Sequence, residues 1–252
     1  MTSTKIAAML EALADRRALK VISGLQNFDS DRVRRVVRAA EFGGATWVDI
    51  AASPALIELA RSETTLPICV SAIDPNALKD AVLAGADLVE IGNFDSFYAA
   101  GRQFSAADVI SLTRQTRALL PRTLLSVTVP HTLPLDRQAE LAEQLELHGA
   151  DFIQTEGGTS STPAHSGTLG AIEKAAPTLA AAYEISRAVS IPVICASGLS
   201  TATVGMAIAA GAAGVGVGSA ISQLDVEVAA IAQVRALVEA LNSLSHSVSA
   251  TR

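Results

Sequence analysis

"AGADLVEIGNF", residues 84–94, carries a carboxylate, Glu90, in the middle of what otherwise reads as a buried strand. The same frame recurs as "GGATWVDIA" (43–51), "HGADFIQTE" (148–156) and "AGAAGVGVG" (210–218). Aligned on the glycine, one column is Asp49, Glu90, Gln154, Gly216, and two residues on it is Ala51, Gly92, Glu156, Gly218. The columns between hold Val48, Val89, Ile153, Val215 and then Ile50, Ile91, Thr155, Val217. Strand side chains alternate faces. The nearly apolar columns therefore face covering helices, and the polar columns face inward.

Working outward, strands read near 19–24, 47–51, 67–72, 88–92, 123–129, 151–156, 192–197 and 214–218. Helical periodicity reads near 31–42, 54–62, 75–84, 105–120, 135–148, 174–189, 201–210 and 225–242. Asp29, Ser53-Pro54, Asp74-Pro75 and Ser105 stand where helix caps belong. Strict alternation in 252 residues predicts one (β/α)8 barrel over 1–252, with an open doubly wound sheet as the alternative. Residues 3–16 form an extra helix that would close the barrel's bottom, and 243–252 are expected to be a disordered tail. The Gly-Ala frames precede strands two, four, six and eight, so a two-strand unit repeats.

Net charge is −6 and no basic face stands out, which argues against nucleic acid as a partner. Residues 188–224 carry no charged side chain. Pro192 and several glycines break that run into strand, helix and strand, so no membrane span is predicted. Cys69 and Cys195 lie in apolar runs and read as reduced core residues of a cytoplasmic protein.

In a barrel, alternate strands supply one interior layer. Asp49, Glu90 and Gln154 would share such a layer, with Glu90 on the floor of a pocket. Buried carboxylates need partners, and Lys20, the only charge in the first strand, is the candidate. Two readings stand: a structural ion pair, or a catalytic lysine that acts as base or imine-former. Asp49, Glu90, Glu156 and His131, which follows strand five, would be its acid/base partners. Strands seven and eight end in "CASGLSTAT" (195–203) and "GVGVGSAIS" (214–222), where barrels often hold a phosphate. Gly198, Ser200, Gly218 and Ser219 are the expected anion contacts. A long Gly/Ser/Thr-rich loop, 157–174, would cover the mouth. An aromatic loop at 93–105 with Arg102 would either clamp a ring or an anion or pack as a plug. No His/Asp/Glu set has metal-ligand spacing, so no metal is expected.

"LKVISGLQNFD" (19–29), "WVDIAASP" (47–54), "VEIGNFDSFYAAGRQFS" (89–105), "SVTVPHTLPLDRQ" (126–138) and "IQTEGG" (153–158) resemble the family of hypothetical chloroplast reading frame twenty-three. That resemblance implies a barrel related to phosphate-binding ones, in a cyanobacterial cytoplasm or an algal plastid stroma, and it implies no reaction. "GADFIQTEGG" is also similar to flavin-dependent barrels, and the last two strand endings to sugar-phosphate epimerases and thiazole synthase. Three functions are therefore carried forward. The first is an isomerase, epimerase, lyase or synthase acting on a small phosphorylated metabolite. The second is an FMN-dependent oxidoreductase. The third is a non-catalytic barrel that senses a metabolite or docks a protein. A homo-oligomer is compatible with all three.

Overall fold

The computed structural model describes residues 4–98, 100–159 and 161–249, with side chains through residue 243. Eight parallel strands close into a barrel in chain order. They are β1 (Ala18–Ile22), β2 (Trp47–Ala51), β3 (Ile68–Ala72), β4 (Leu88–Ile91), β5 (Leu124–Thr128), β6 (Phe152–Gln154), β7 (Val193–Ala196) and β8 (Gly214–Val217). The helices are α1 (Thr4–Ala14), α2 (Ser30–Gly43), α3 (Pro54–Glu63), α4 (Pro75–Leu83), α5 (Asp95–Tyr98) and α6 (Ala106–Leu119). Then follow α7 (Leu135–Leu147), α8 (Gly167–Ala188), α9 (Val204–Ala209), α10 (Ser219–Ser222) and α11 (Glu227–Ser249).

The caps follow from local chemistry. Asp29 accepts from the N–H groups of Asp31 and Arg32 at the start of α2. Ser105 and Asp108 form a reciprocal capping box on α6. Gly44 ends α2 in the left-handed region at φ 82°, which costs a residue with a β-carbon far more than glycine.

The repeated Gly-Ala frame has a structural cause that its sequence alone did not display. The residue after each Gly-Ala pair anchors the strand before it. Asp87 accepts from Ile68 N at 2.9 Å, Asp151 from Leu125 N at 2.8 Å, and Thr46 from Leu19 N at 2.9 Å. Each thus satisfies a backbone donor at the start of β3, β5 or β1. In the fourth copy Ala213 stands at this position and has no side-chain acceptor to offer.

The outward columns are buried against the helices in one large core, which includes Val48, Ile50, Val89, Ile91, Ile153, Val215 and Val217. Thr155, the polar member of those columns, meets Thr178 of α8 at 2.5 Å. At the barrel's bottom, Ile6, Met9, Ala12 and Leu13 of α1 pack against inward Ala18, Trp47, Cys69, Leu88, Phe152 and Ile194. The N-terminal helix is a plug, as expected.

Two boundaries differ from the sequence reading. Helix α8 starts at Gly167 rather than at 174, so the loop after β6 is shorter than expected. Glu173 explains the early start. Its carboxylate accepts from Ala164 N at 2.8 Å and His165 N at 3.0 Å, and binds the His165 ring at 2.6 Å. That gathers the chain into the first turn. Pro177 then interrupts the helix. Its missing N–H leaves the Glu173 carbonyl open, and Ser161 Oγ donates to that carbonyl at 3.4 Å. The last helix also runs further than the 225–242 read from sequence. Backbone α11 continues through 243–249, since each added residue extends an already nucleated helix by one bond. Residues 250–252 lie outside the described residues.

Gly216 occupies the inward column of β8. A β-carbon there would lie 2.8 Å from Ala196 Cβ and 3.0 Å from Ile22 Cδ1. Gly216→Val should therefore destabilise the barrel by about 1–3 kcal/mol, the usual cost of overpacking, measured by urea unfolding with the slope unchanged.

Candidate functional site

Lys20 projects from β1 into the closed ring and is 1% exposed. Its Nζ lies 2.7 Å from Glu90 Oε2, 2.9 Å from Gln154 Oε1 and 3.3 Å from Asp49 Oδ2. The inward columns of β2, β4 and β6 thus converge on one ammonium. The remaining acceptor positions are filled as well. Ser126 Oγ donates to Glu90 Oε2 at 2.7 Å, and Gln154 Nε2 to Glu90 Oε1 at 2.7 Å. Ser71 Oγ stands 2.6 and 2.8 Å from the two oxygens of Asp49.

Burial by itself would lower the pKa of Lys20, but Asp49 and Glu90 outweigh it and hold the ammonium above its ordinary value. An imine-former or lysine base needs a neutral amine. The geometry therefore favours the structural ion pair over a catalytic lysine. Asp49 is the unusual member. Burial pushes its carboxyl up, Lys20 pulls it down, Glu90 pushes it up again, and it comes to about 6.

Above this cluster a cavity of about 200 Å³ opens at the C-terminal ends of the strands. Asp49 and Ser71 line its floor, and Ile22, Ser23, Gly24 and Leu25 line one wall. Ser197, Gly198, Gly218 and Ser219 form an adjoining wall, with Asn93, Asp95, Ser96 and Thr159 also facing in. Lys20 and Glu90 do not reach it. Glu90 was expected on the pocket floor, but it is 0% exposed and does not line the cavity. Its two oxygens are taken by Lys20, Ser126 and Gln154.

A second buried network borders the cavity. Glu156, also 0% exposed, accepts from Phe94 N at 2.9 Å, Asp95 N at 3.2 Å, Tyr98 Oη at 2.7 Å and His131 N at 3.1 Å. His131 Nδ1 stands 3.3 Å from Glu156 Oε1 and 3.3 Å from Asp95 Oδ1. The hydrogen bond to Glu156 raises the pKa of His131; burial opposes this and Asp95 adds to it. Burial and Glu156 likewise push the Tyr98 phenol up, so it stays a donor. Glu156 thus anchors the loops after β4 and β5 through its hydrogen bonds. Asp95 is the residue that sequence reasoning missed. Its side chain accepts from Gly157 N and Ser197 Oγ, both at 3.3 Å, and it lines the cavity.

Asp95, His131 and Glu156 each place a ligand atom within 4.8 Å of the others. No metal was expected from spacing, and the fold assembles this trio from three separate loops. With Glu156 already accepting from four other donors, the trio is a carboxylate-held imidazole rather than an open coordination set. Ser200 is not among the cavity-lining residues. Its N–H donates to Thr203 Oγ1 at 2.9 Å within its own turn. The aromatic loop packs as a plug: Phe94 and Phe97 both contact Phe104, and Arg102 stacks over Phe97 and Phe104. Among the described residues no aromatic side chain lines the cavity.

Fold and site together define a closed (β/α)8 barrel with a small polar cavity at its C-terminal mouth. The chain belongs to the family described as "Protein of unknown function (DUF561)", which matches residues 2–247. It is 47% identical over 214 residues to "Uncharacterized protein ycf23" of Cyanophora paradoxa, covering 84% of this chain and 88% of the relative. The protein of the same description from Cyanidium caldarium is 36% identical over 240 residues, covering 95% and 94%. Among solved structures, a thiamine phosphate pyrophosphorylase from Pyrococcus furiosus has TM-score 0.60 at 18% identity, covering 92% of this chain and 98% of that one. A 3-hexulose-6-phosphate synthase has TM-score 0.62 at 16% identity, covering 88% and 99%. At such identities these likenesses are likenesses of fold. Among the described residues no helix is long and apolar enough to cross a membrane.

Two outcomes follow from the ion cluster. Lys20→Met should lose about 3–5 kcal/mol in denaturant unfolding near neutral pH, because it leaves buried carboxylates without their cation. Without Lys20 to pull it down, the Asp49 carboxyl would have a folded-state pKa still further above its unfolded one. The deficit should therefore shrink toward pH 4, grow as pH rises from the unfolded to the folded value, and level off above it. In the wild type, the side-chain carboxyl of Asp49 followed by 13C NMR should titrate with a midpoint near 6, and an ordinary aspartate midpoint would contradict the buried geometry.

Proposed function

We propose that this chain is an enzyme that binds a small phosphate ester in the cavity and acts on it by acid/base chemistry through Asp49. The observation that carries the reading is the position of Asp49. It is the member of the buried ion cluster that opens onto the cavity, and its carboxyl is raised to about 6. A group with that affinity for protons can remove one from a ligand near neutral pH and return it. Isomerase, epimerase or lyase steps that begin with proton removal suit this arrangement better than imine chemistry on Lys20.

The anion is assigned to the wall formed by Ser197, Gly198, Gly218 and Ser219. These residues end β7 and β8 side by side, where barrels commonly take phosphate. The glycines bring backbone close to a ligand there. A β-carbon on Gly198 would lie 2.7 Å from the Lys174 carbonyl and 3.2 Å from Lys174 Cγ, so the stem of a basic side chain also borders this loop. The solved neighbours named for phosphate compounds share only the fold; the reading rests on this chain's own cavity. An FMN site is less well supported, because the aromatic residues expected to cover its ring pack on each other instead. A cytoplasmic or stromal setting belongs to the same proposal.

Ser219→Asp tests the anion wall. Like charges a few ångströms apart near a surface repel by on the order of 1–4 kcal/mol. The wild type should be stabilised by inorganic phosphate in a thermal-shift titration, and the variant should fold normally yet need about tenfold more phosphate or higher. Equal stabilisation of both proteins would remove phosphate from this wall.

A further inference from the structure

The anion wall has no cation of its own, and a basic side chain without a partner stands beside it. We infer that Lys174 of α8 is the counter-charge of the phosphate: its stem leans on Gly198, and its ammonium folds over that loop onto the bound anion. This rests on the phosphate reading above and adds the residue that neutralises the ligand.

The charges around the cavity call for such a residue. Its lining holds two charged side chains, Asp49 and Asp95, and among the described residues no lysine, arginine or histidine. The cations behind those aspartates are each divided between two carboxylates. Lys20 lies between Asp49 and Glu90, and His131 between Asp95 and Glu156. Neither network has positive charge left over for a ligand. Asp95 is also close to the anion wall, because Ser197 Oγ donates to its Oδ2 at 3.3 Å. A phosphate on that wall would meet a like charge a few ångströms away, and a nearby cation has to offset the repulsion.

The backbone brings Lys174 to the right place. A β-carbon on Gly158 would lie 2.5 Å from Gly198 Cα, so the loops after β6 and β7 touch backbone to backbone. A β-carbon on Gly198 would lie 2.7 Å from the Lys174 carbonyl and 3.2 Å from Lys174 Cγ, so α8 presses on the same loop. In a helix the Cα–Cβ bonds tilt toward the N-terminus. Helix α8 follows β6, so its N-terminus lies at the C-terminal mouth of the barrel. The tilt therefore sends the Lys174 stem toward the mouth, and the ammonium lies three bonds beyond Cγ on a flexible chain.

Lys174 is also available. It is half-buried, and among the described residues its ammonium has no ion pair or hydrogen bond. Other basic groups of the mouth loops are engaged: Arg102 stacks over Phe97 and Phe104, and the His165 ring meets Glu173 at 2.6 Å. The Lys174 side chain is not part of the cavity lining, whereas Gly198, against which its stem rests, is. Turning about the stem's last bonds, which no partner restrains, carries the ammonium over Gly198 to an anion on the wall.

Calorimetric titration with inorganic phosphate at low ionic strength tests this in the wild type, Lys174→Met and Lys174→Arg. Loss of a charged contact should weaken phosphate binding about tenfold or more in Lys174→Met, and Lys174→Arg should retain most of the affinity. The gap between the wild type and Lys174→Met should narrow as salt is raised, because added ions screen exposed charges. Without phosphate the two should melt alike, since the substitution removes no bond of the fold. A second measurement needs no variant. Saturating phosphate should slow acylation of Lys174 in the wild type and leave exposed Lys79 unchanged, read by peptide mass spectrometry; if Lys174→Met folds poorly, this decides. Equal phosphate affinity in the wild type and Lys174→Met, or an unchanged labelling rate at Lys174, would overturn this inference and leave the phosphate wall standing. A wild type that binds no phosphate would overturn both.

Discussion

An ammonium sealed inside a ring of strands is the constraint around which this barrel is arranged. Lys20 cannot reach water, and a buried charge is tolerated only when its hydrogen-bonding capacity is met. Glu90 and Gln154 accept from it, and Asp49 adds a second counter-charge. Satisfying Lys20 creates further obligations. Two carboxylates against one ammonium leave excess acceptors, and Ser71, Ser126 and Gln154 Nε2 supply the donors. Gly216 keeps its own part of the ring free of a side chain, 3.5 Å from Gln154 Oε1 if a β-carbon were added. The inward residues of seven strands are thus selected together.

A second buried carboxylate organises the mouth in the same manner. Glu156 gathers backbone donors from the loop after β4 and from His131 after β5, together with the Tyr98 hydroxyl. Those bonds hold α5 and the imidazole in place, and Asp95 is held at the cavity edge as a result. Each network sets one basic side chain between two carboxylates and sends one aspartate into the cavity. The distinction between groups that hold the site and groups that can meet a ligand follows from position. Glu90 and Glu156 are fully buried away from the cavity, whereas Asp49 and Asp95, which also accept from protein donors, line it.

Much of the fold was legible because its signals are local or periodic. The alternation of inward and outward columns follows from strand geometry alone, and it correctly turned Asp49, Glu90 and Gln154 toward one another. The need of a buried carboxylate for a cation singled out Lys20. Helix caps such as Asp29 and Ser105 depend only on residues two or three positions away. Helix α8 was less legible. Its first turns carry glycines and an internal proline, both poor helix formers, and only the Glu173 bonds to residues 164 and 165 show why the helix begins so early.

The sequence by itself thus determined the closed alternation of strands and helices, the faces of the strands, the plugging helix and the partners of Lys20. These depend on short-range periodicity and on the electrostatics of buried charge. Tertiary structure decided which charges remain available. Asp95 enters the site only because loops distant in sequence meet at Glu156. Ser200 leaves it because its own turn bonds to Thr203. Lys20 is a fixed cation because both carboxylates come within hydrogen-bonding or ion-pair distance at once. Whether a polar group is saturated depends on its whole three-dimensional neighbourhood, and no pattern read along the chain contains that information.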